Sequence, residues 1–159
     1  MNDAKARPTQ HALTREEIES FAREWYRKLD EHVPATEIVS MISNQDLAFH
    51  LPEGVLTTRE AVREWYEGGP SMRGVINIFF DEVHTLRRVA VSWSGEGALV
   101  DVVVNWQARL WQPPSPRSRW IGFDAYQRWE MTRSPETGAP VINRYVVNEL
   151  RPMPGSPSL

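Results

Sequence analysis

The chain has 159 residues, 41% of them hydrophobic, which suffices for one sizeable core and is too little for two comfortable domains. A formal net charge of -3 and a pI near 5.8 leave no basic footprint, which argues against nucleic acid or an anionic membrane as partner. Cysteine is absent, so disulfides, thiolate nucleophiles and thiolate metal sites are excluded.

Residues 1–13 are polar and aperiodic and are expected to form a flexible arm. They lack the apolar run of a signal peptide, and no later segment has the apolar length of a membrane span, so a soluble, cytoplasmic protein is expected. Thr14 and Glu17 have the spacing of a capping box, and Ile18, Phe21, Ala22, Trp25 and Leu29 recur on one helical face, which predicts a first helix over about 15–31. Tyr26 sits at the edge of that face. Pro34 interrupts, and Ile38, Val39, Met41 and Ile42 predict a shorter helix over about 35–43.

Asp46 to Leu51 reads as a short strand, turned by Pro52, Glu53 and Gly54 so that Val55 and Leu56 can pair back. Thr57 and Glu60 suggest a second capping box ahead of Ala61, Val62, Trp65 and Tyr66, and Gly68, Gly69 and Pro70 end that third helix. A strand is predicted over about 83–93, with Ile76 to Phe80 fitting strand or loop equally well, and Ser94 to Gly97 turn the chain.

From Ala98 to Leu110 every even position is apolar, and from Ile121 to Met131 the odd positions are apolar except Gln127. These read as two long antiparallel strands joined by a Pro-rich loop at Gln112 to Ser118. Val141 to Leu150 closes the sheet, and residues 151–159, with three prolines, are expected to be a disordered tail. One continuous apolar sheet face needs a cover, and the three helices are available, so residues 14–150 are read as a single α+β domain.

The order of elements and the stretch from Leu51 to Gly69, a strand and Pro turn followed by Thr-x-x-Glu-Ala-Val-x-x-Trp-Tyr, resemble the nuclear transport factor 2-like superfamily, in its SnoaL-like and ketosteroid-isomerase-like branch. The resemblance covers Leu13 to Leu150. It implies a cone: a curved antiparallel or mixed sheet wrapped around three N-terminal helices, the cystatin-like α+β barrel, with a pocket at the open end and homodimers formed through the outer sheet face. The branch's helix-one tyrosine, a hydrogen-bond donor to the substrate, falls on Tyr26. Its aspartate base falls on Leu51, which cannot take a proton. Its second acid falls on Glu130 by counting, whereas alternation turns Trp129 inward instead. The acid, tryptophan and aspartate that polyketide cyclases carry in the last strand have no counterpart in Val141 to Glu149.

Candidate chemistry then rests on few residues. The four histidines, 11, 32, 50 and 84, lack metal-ligand spacing, and motifs for dinucleotides, phosphate or metals are absent, so no cofactor and no metal is expected. His50 stands beside the expected pocket mouth, where an imidazole could act as base, although it faces away if Leu51 faces in. His84 lies near a strand start, at the rim. Tyr26 and His50 are the catalytic candidates; Phe49, Leu51, Trp65, Trp106, Gln127 and Trp129 are the expected pocket wall. On the outer face, Asp101 and Asp124 lie opposite Arg109 or Arg128, and Trp111, Trp120 and Tyr126 make the mixture of an interface core.

The function expected is that of a SnoaL-like small-molecule pocket protein: cofactor-independent acid/base chemistry of isomerase, cyclase or dehydratase type on a hydrophobic carbonyl compound. The alternative is a non-catalytic dimeric module for ligand binding or structure.

Overall fold

The computed structural model describes residues 12–159. Most of the expected arm therefore lies outside the described residues, although Leu13, its last residue, is buried in the core. The first helix, α1 (Arg15–Glu31), opens on the full capping box: Thr14 Oγ1 accepts from the Glu17 N–H and the Glu17 carboxylate accepts from the Thr14 N–H, both at 3.1 Å. It ends at His32, in the left-handed region with φ 52°. The next helix, α2 (Ala35–Val39), is shorter than its apolar spacing suggested, because the chain after it leaves the helix to bridge Ile42 to Ile142.

β1 (Ala48–Leu51) and β2 (Gly54–Leu56) form the small hairpin, and α3 (Arg59–Glu67) follows. Its cap is Thr58 rather than Thr57: the Thr58 hydroxyl accepts from the Ala61 N–H at 3.0 Å. The four long strands are β3 (Phe79–Ser94), β4 (Gly97–Leu110), β5 (Arg119–Arg133) and β6 (Pro140–Pro152). Residues 75–77 form a single 3-10 turn, which resolves the choice left open at Ile76 to Phe80: Phe79 and Phe80 belong to the strand. The stretch expected to be a disordered tail instead extends β6 through Pro152. After it the Met153 N–H bonds to the Gly122 carbonyl, and Ser156 Oγ accepts from the Gly122 N–H.

The sheet runs β2-β1-β6-β5-β4-β3, with β1 parallel to β6 and every other pair antiparallel. It is open and mixed, curved by register shifts in β3 against β4 and in β5 against β6. The even positions of β4 and the odd ones of β5 point inward as the alternation requires: Val100, Val104, Ile121 and Trp129 have no solvent exposure. They pack under α1, where Phe21, Trp25 and Tyr145 surround Trp129 and Phe49 edge to face or in stacks. A second, smaller cluster of Phe79, Ala108, Leu110, Ile121 and Phe123 fills the far end of the sheet. Val75, Trp106 and Leu150 border the seam between the two clusters, and that seam holds the cavity.

Across the outer face Arg128 pairs with Asp101, both exposed, and Asn105 donates to Asp124 at 2.9 Å. No helix among the described residues is long and apolar enough to cross a membrane.

Candidate active site

The site begins with an irregularity in β3. Asp81 has a φ of 51°, and the register against β4 slips between Phe80 and Val83. This bulge turns the even positions Glu82, His84 and Leu86 toward the helices and pushes Val83 out, 56% exposed. A second slip between Leu86 and Arg88 then brings Val89 and Val91 back to the packed side.

His84 meets the last turn of α1. Asp30 Oδ1 lies 2.5 Å from His84 Nδ1, and Asp30 Oδ2 accepts the His84 backbone N–H at 2.9 Å. A carboxylate only accepts, so in the neutral ring Nδ1 carries the hydrogen and Nε2 keeps its lone pair. The ring is held flat between Tyr26, at 4.8 Å between centroids, and Trp106, at 6.0 Å, and its side chain is 9% exposed.

Two residues earlier Glu82 forms a second carboxylate–imidazole pair. Its Oε2 is 2.6 Å from His32 Nε2, and its Oε1 accepts from Trp106 Nε1 at 3.1 Å. The Glu82 side chain is 7% exposed, and desolvation pushes its carboxyl above the ordinary range against the opposing pull of His84 and His32. His32 is the outer member, 24% exposed at the end of α1.

Glu82, His84, Trp106 and Gln127 form one side of a cavity of about 110 Å³, closed by Leu29, Leu51, Trp65, Tyr66, Tyr145 and Leu150. The wall is largely apolar. Its titratable side chains are Glu53, Glu82, His84 and the two tyrosines, and among the described residues no lysine or arginine contributes to it. Burial pushes the Tyr145 hydroxyl up to about 12 and that of Tyr66, which donates to the Val33 carbonyl, to about 12. Both stay protonated, as donors, across the physiological range.

Four expected wall residues, Leu51, Trp65, Trp106 and Gln127, line the cavity. Phe49 and Trp129 are instead core, wholly enclosed between sheet and α1. Tyr26 is buried too: its hydroxyl donates to Gln127 Oε1 at 2.8 Å, and the same oxygen accepts from Trp129 Nε1 at 3.1 Å. Tyr26 therefore supports the His84 ring and the Gln127 amide from behind and does not line the cavity. Its hydroxyl is raised well above the tyrosine range by burial. His50 lies on the other side of β1 from Leu51, where its Nε2 is 3.3 Å from Arg144, away from the cavity. Glu130 is exposed on the outer face while Trp129 points in, as alternation indicated.

Sequence reasoning missed the pairing of Asp30 with His84 and of His32 with Glu82. One signal was present. In β3 the packed apolar residues are Leu86 and then Val89, spaced by three instead of two. That spacing marks a phase change, before which Glu82 and His84 share the face of Leu86.

Neither a protein-family model nor a curated protein matches the chain. Solved structures do. A hexachlorocyclohexane dehydrochlorinase (LinA, type 2) superposes with a TM-score of 0.68 at 12% identity, over 91% of this chain and 92% of that one. A scytalone dehydratase candidate from Novosphingobium aromaticivorans gives 0.67 at 18% identity, over 87% and 83%. A nuclear transport factor 2-like superfamily protein from Salmonella enterica gives 0.64 at 13% identity, over 82% and 87%. The chain has the nuclear transport factor 2-like fold.

Proposed function

We propose that the protein is a cofactor-independent acid/base enzyme that takes a proton from carbon in a small, uncharged, largely apolar substrate carrying an oxygen function. The observation behind this reading is His84, with Nδ1 bound to Asp30 and Nε2 left to an apolar cavity. Asp30 orients the ring and stabilises the imidazolium formed when Nε2 takes the proton. Out of bulk water that pairing is worth more than at the surface. Gln127 and Tyr145, on the same cavity, are the donors for a substrate carbonyl, the role expected of Tyr26. With no lysine or arginine among the described wall residues, carboxylate and phosphate substrates are disfavoured. The neighbours named as a dehydrochlorinase and a scytalone dehydratase candidate support elimination within this class, alongside isomerisation and cyclisation.

The test is the base-promoted ring opening of 5-nitrobenzisoxazole, a flat, neutral carbon acid whose leaving phenolate needs no proton. Turnover above the rate in buffer, lost in His84→Gln, is the expected result. The rival reading, a non-catalytic binding module, is favoured by the modest cavity and requires that no turnover be seen. We further propose a cytoplasmic homodimer joined through the outer sheet face, where Val103, Trp120 and Tyr126 are half-exposed. Sedimentation at two concentrations tests the dimer.

A further inference from the structure

The base described above leaves one buried group without a role. Glu82 is a nearly inaccessible carboxyl on the wall of the same cavity, two residues from His84 on one strand, so both reach a bound molecule from one side. Structural carboxyls are usually paired with arginine or lysine. This one is held by Trp106 Nε1 and by His32 Nε2, a group that can itself carry a proton and that reaches solvent.

We propose that Glu82 is the general acid of the site and that His32 reloads it from solvent, so that the pocket favours substrates whose leaving group departs as a basic oxygen. The proposal rests on the reading of His84 as base. In an elimination, His84 Nε2 takes the proton from carbon and the C–H electron pair becomes the new π bond. The bond from the adjacent carbon to oxygen breaks with its electrons on oxygen, which receives the Glu82 proton and leaves as water. The Glu82 carboxylate then takes a proton from the His32 imidazolium, His32 takes one from solvent, and His84 returns its own to water. A halide leaving group has no use for this donor; a hydroxyl does.

Burial fits the assignment, since desolvation holds the Glu82 carboxyl in its acid form further up the pH scale than an exposed one. Among the described residues the titratable groups facing it are His32 at the end of α1, His84 on its own strand with Asp30 behind, and Tyr66 from α3, whose hydroxyl is raised in part by the Glu82 charge.

The experiment uses benzisoxazoles of graded leaving-group basicity, from 5-nitro through 5-chloro to the unsubstituted compound, with the wild type, Glu82→Gln, His32→Ala and His84→Gln, each checked by near-UV circular dichroism. In these substrates the base takes the C3 proton, the N–O bond breaks, and the phenolic oxygen can accept the acid's proton. Glu82→Gln should lower kcat/KM for the unsubstituted compound roughly tenfold to a hundredfold more than for the 5-nitro compound, within the usual contribution of a general acid. His32→Ala should show the same selective loss and be restored by added imidazole, which a merely structural histidine would not be. An equal loss on all substrates, or none, overturns the assignment of Glu82. Failure of imidazole to restore His32→Ala overturns the relay. Activity indifferent to His84→Gln, or no turnover by the wild type, defeats the underlying reading instead.

Discussion

Replacing Asp30 by Asn probes the pair at the centre of the site with little change of shape. The side-chain oxygen that remains can still accept the His84 backbone N–H, now bonded at 2.9 Å, so the strand stays anchored to α1. What is lost is the carboxylate charge 2.5 Å from Nδ1, and the amide NH2 that faces the ring in its place can only donate, which favours the tautomer with the hydrogen on Nε2. A hydrogen bond to a charged group contributes about 1.5–3 kcal/mol, and at 1.36 kcal/mol per factor of ten a loss of about 2 kcal/mol is roughly thirtyfold. That loss falls on the transition state, where the imidazolium is forming, and the wrong tautomer adds to it, so kcat for 5-nitrobenzisoxazole should drop by at least about thirtyfold while KM changes little. Thermal unfolding should report a cost of about 1 kcal/mol, the net value of one neutral hydrogen bond. An Asp30→Asn enzyme within twofold of wild type in kcat, and properly folded, would refute the argument that Asp30 stabilises the charged ring.

The remaining expectations concern stability. Thr58→Ala should cost about 1 kcal/mol, because it removes the acceptor for the Ala61 N–H, and Thr57→Ala should cost far less in the same denaturant titrations. Trp129→Ala, at a site with no solvent exposure, should cost about 3–5 kcal/mol and shift the urea midpoint accordingly. The Glu17 carboxyl is held down to about 2, chiefly by its hydrogen bonds to Arg133, so its contribution is complete above the ordinary value of 4.5 and is lost as pH falls toward 2; Arg133→Met should flatten that acid limb of stability against pH. Glu82 has the opposite sign. Raised by burial above 4.5, it stabilises fully below that value and progressively less as pH rises through its folded value, so Glu82→Gln should gain on the wild type as pH rises above 4.5.

Much of the fold was legible because the strands obey one strong rule. A period-2 pattern over fourteen residues of β4 and fifteen of β5 fixes which face of each strand is buried, since a one-residue slip would expose it, and that face is the one packed inward. The N-cap of α1 was legible for a similar reason, since a box at fixed spacing has few alternatives. At α3 two adjacent threonines competed and local sequence alone could not rank them. The tail misled because its prolines argue against a central strand, whereas β6 needs only Pro140 and Pro152 at its ends, where the ladder makes no demand on them.

The site was legible only in its apolar wall. Leu51, Trp65, Trp106 and Gln127 follow from alternation and helical spacing, which are local rules. Asp30 and His84 are fifty-four positions apart, and their meeting depends on a bulge that reverses the phase of β3. A strand read without that bulge puts His84 outside and Val83 inside. Tyr26 stands where the sequence pointed but serves a different purpose, since its hydroxyl is spent on Gln127 and its ring steadies the base.

The most direct test of the account is kcat/KM of wild type and His84→Gln for 5-nitrobenzisoxazole, measured side by side with the C3-deuterated compound. Turnover by the wild type should show a primary isotope effect, and the variant should fall by about 10²-fold or more, the span a general base ordinarily supplies. Equal rates in the two proteins, or wild-type turnover without an isotope effect, would contradict it.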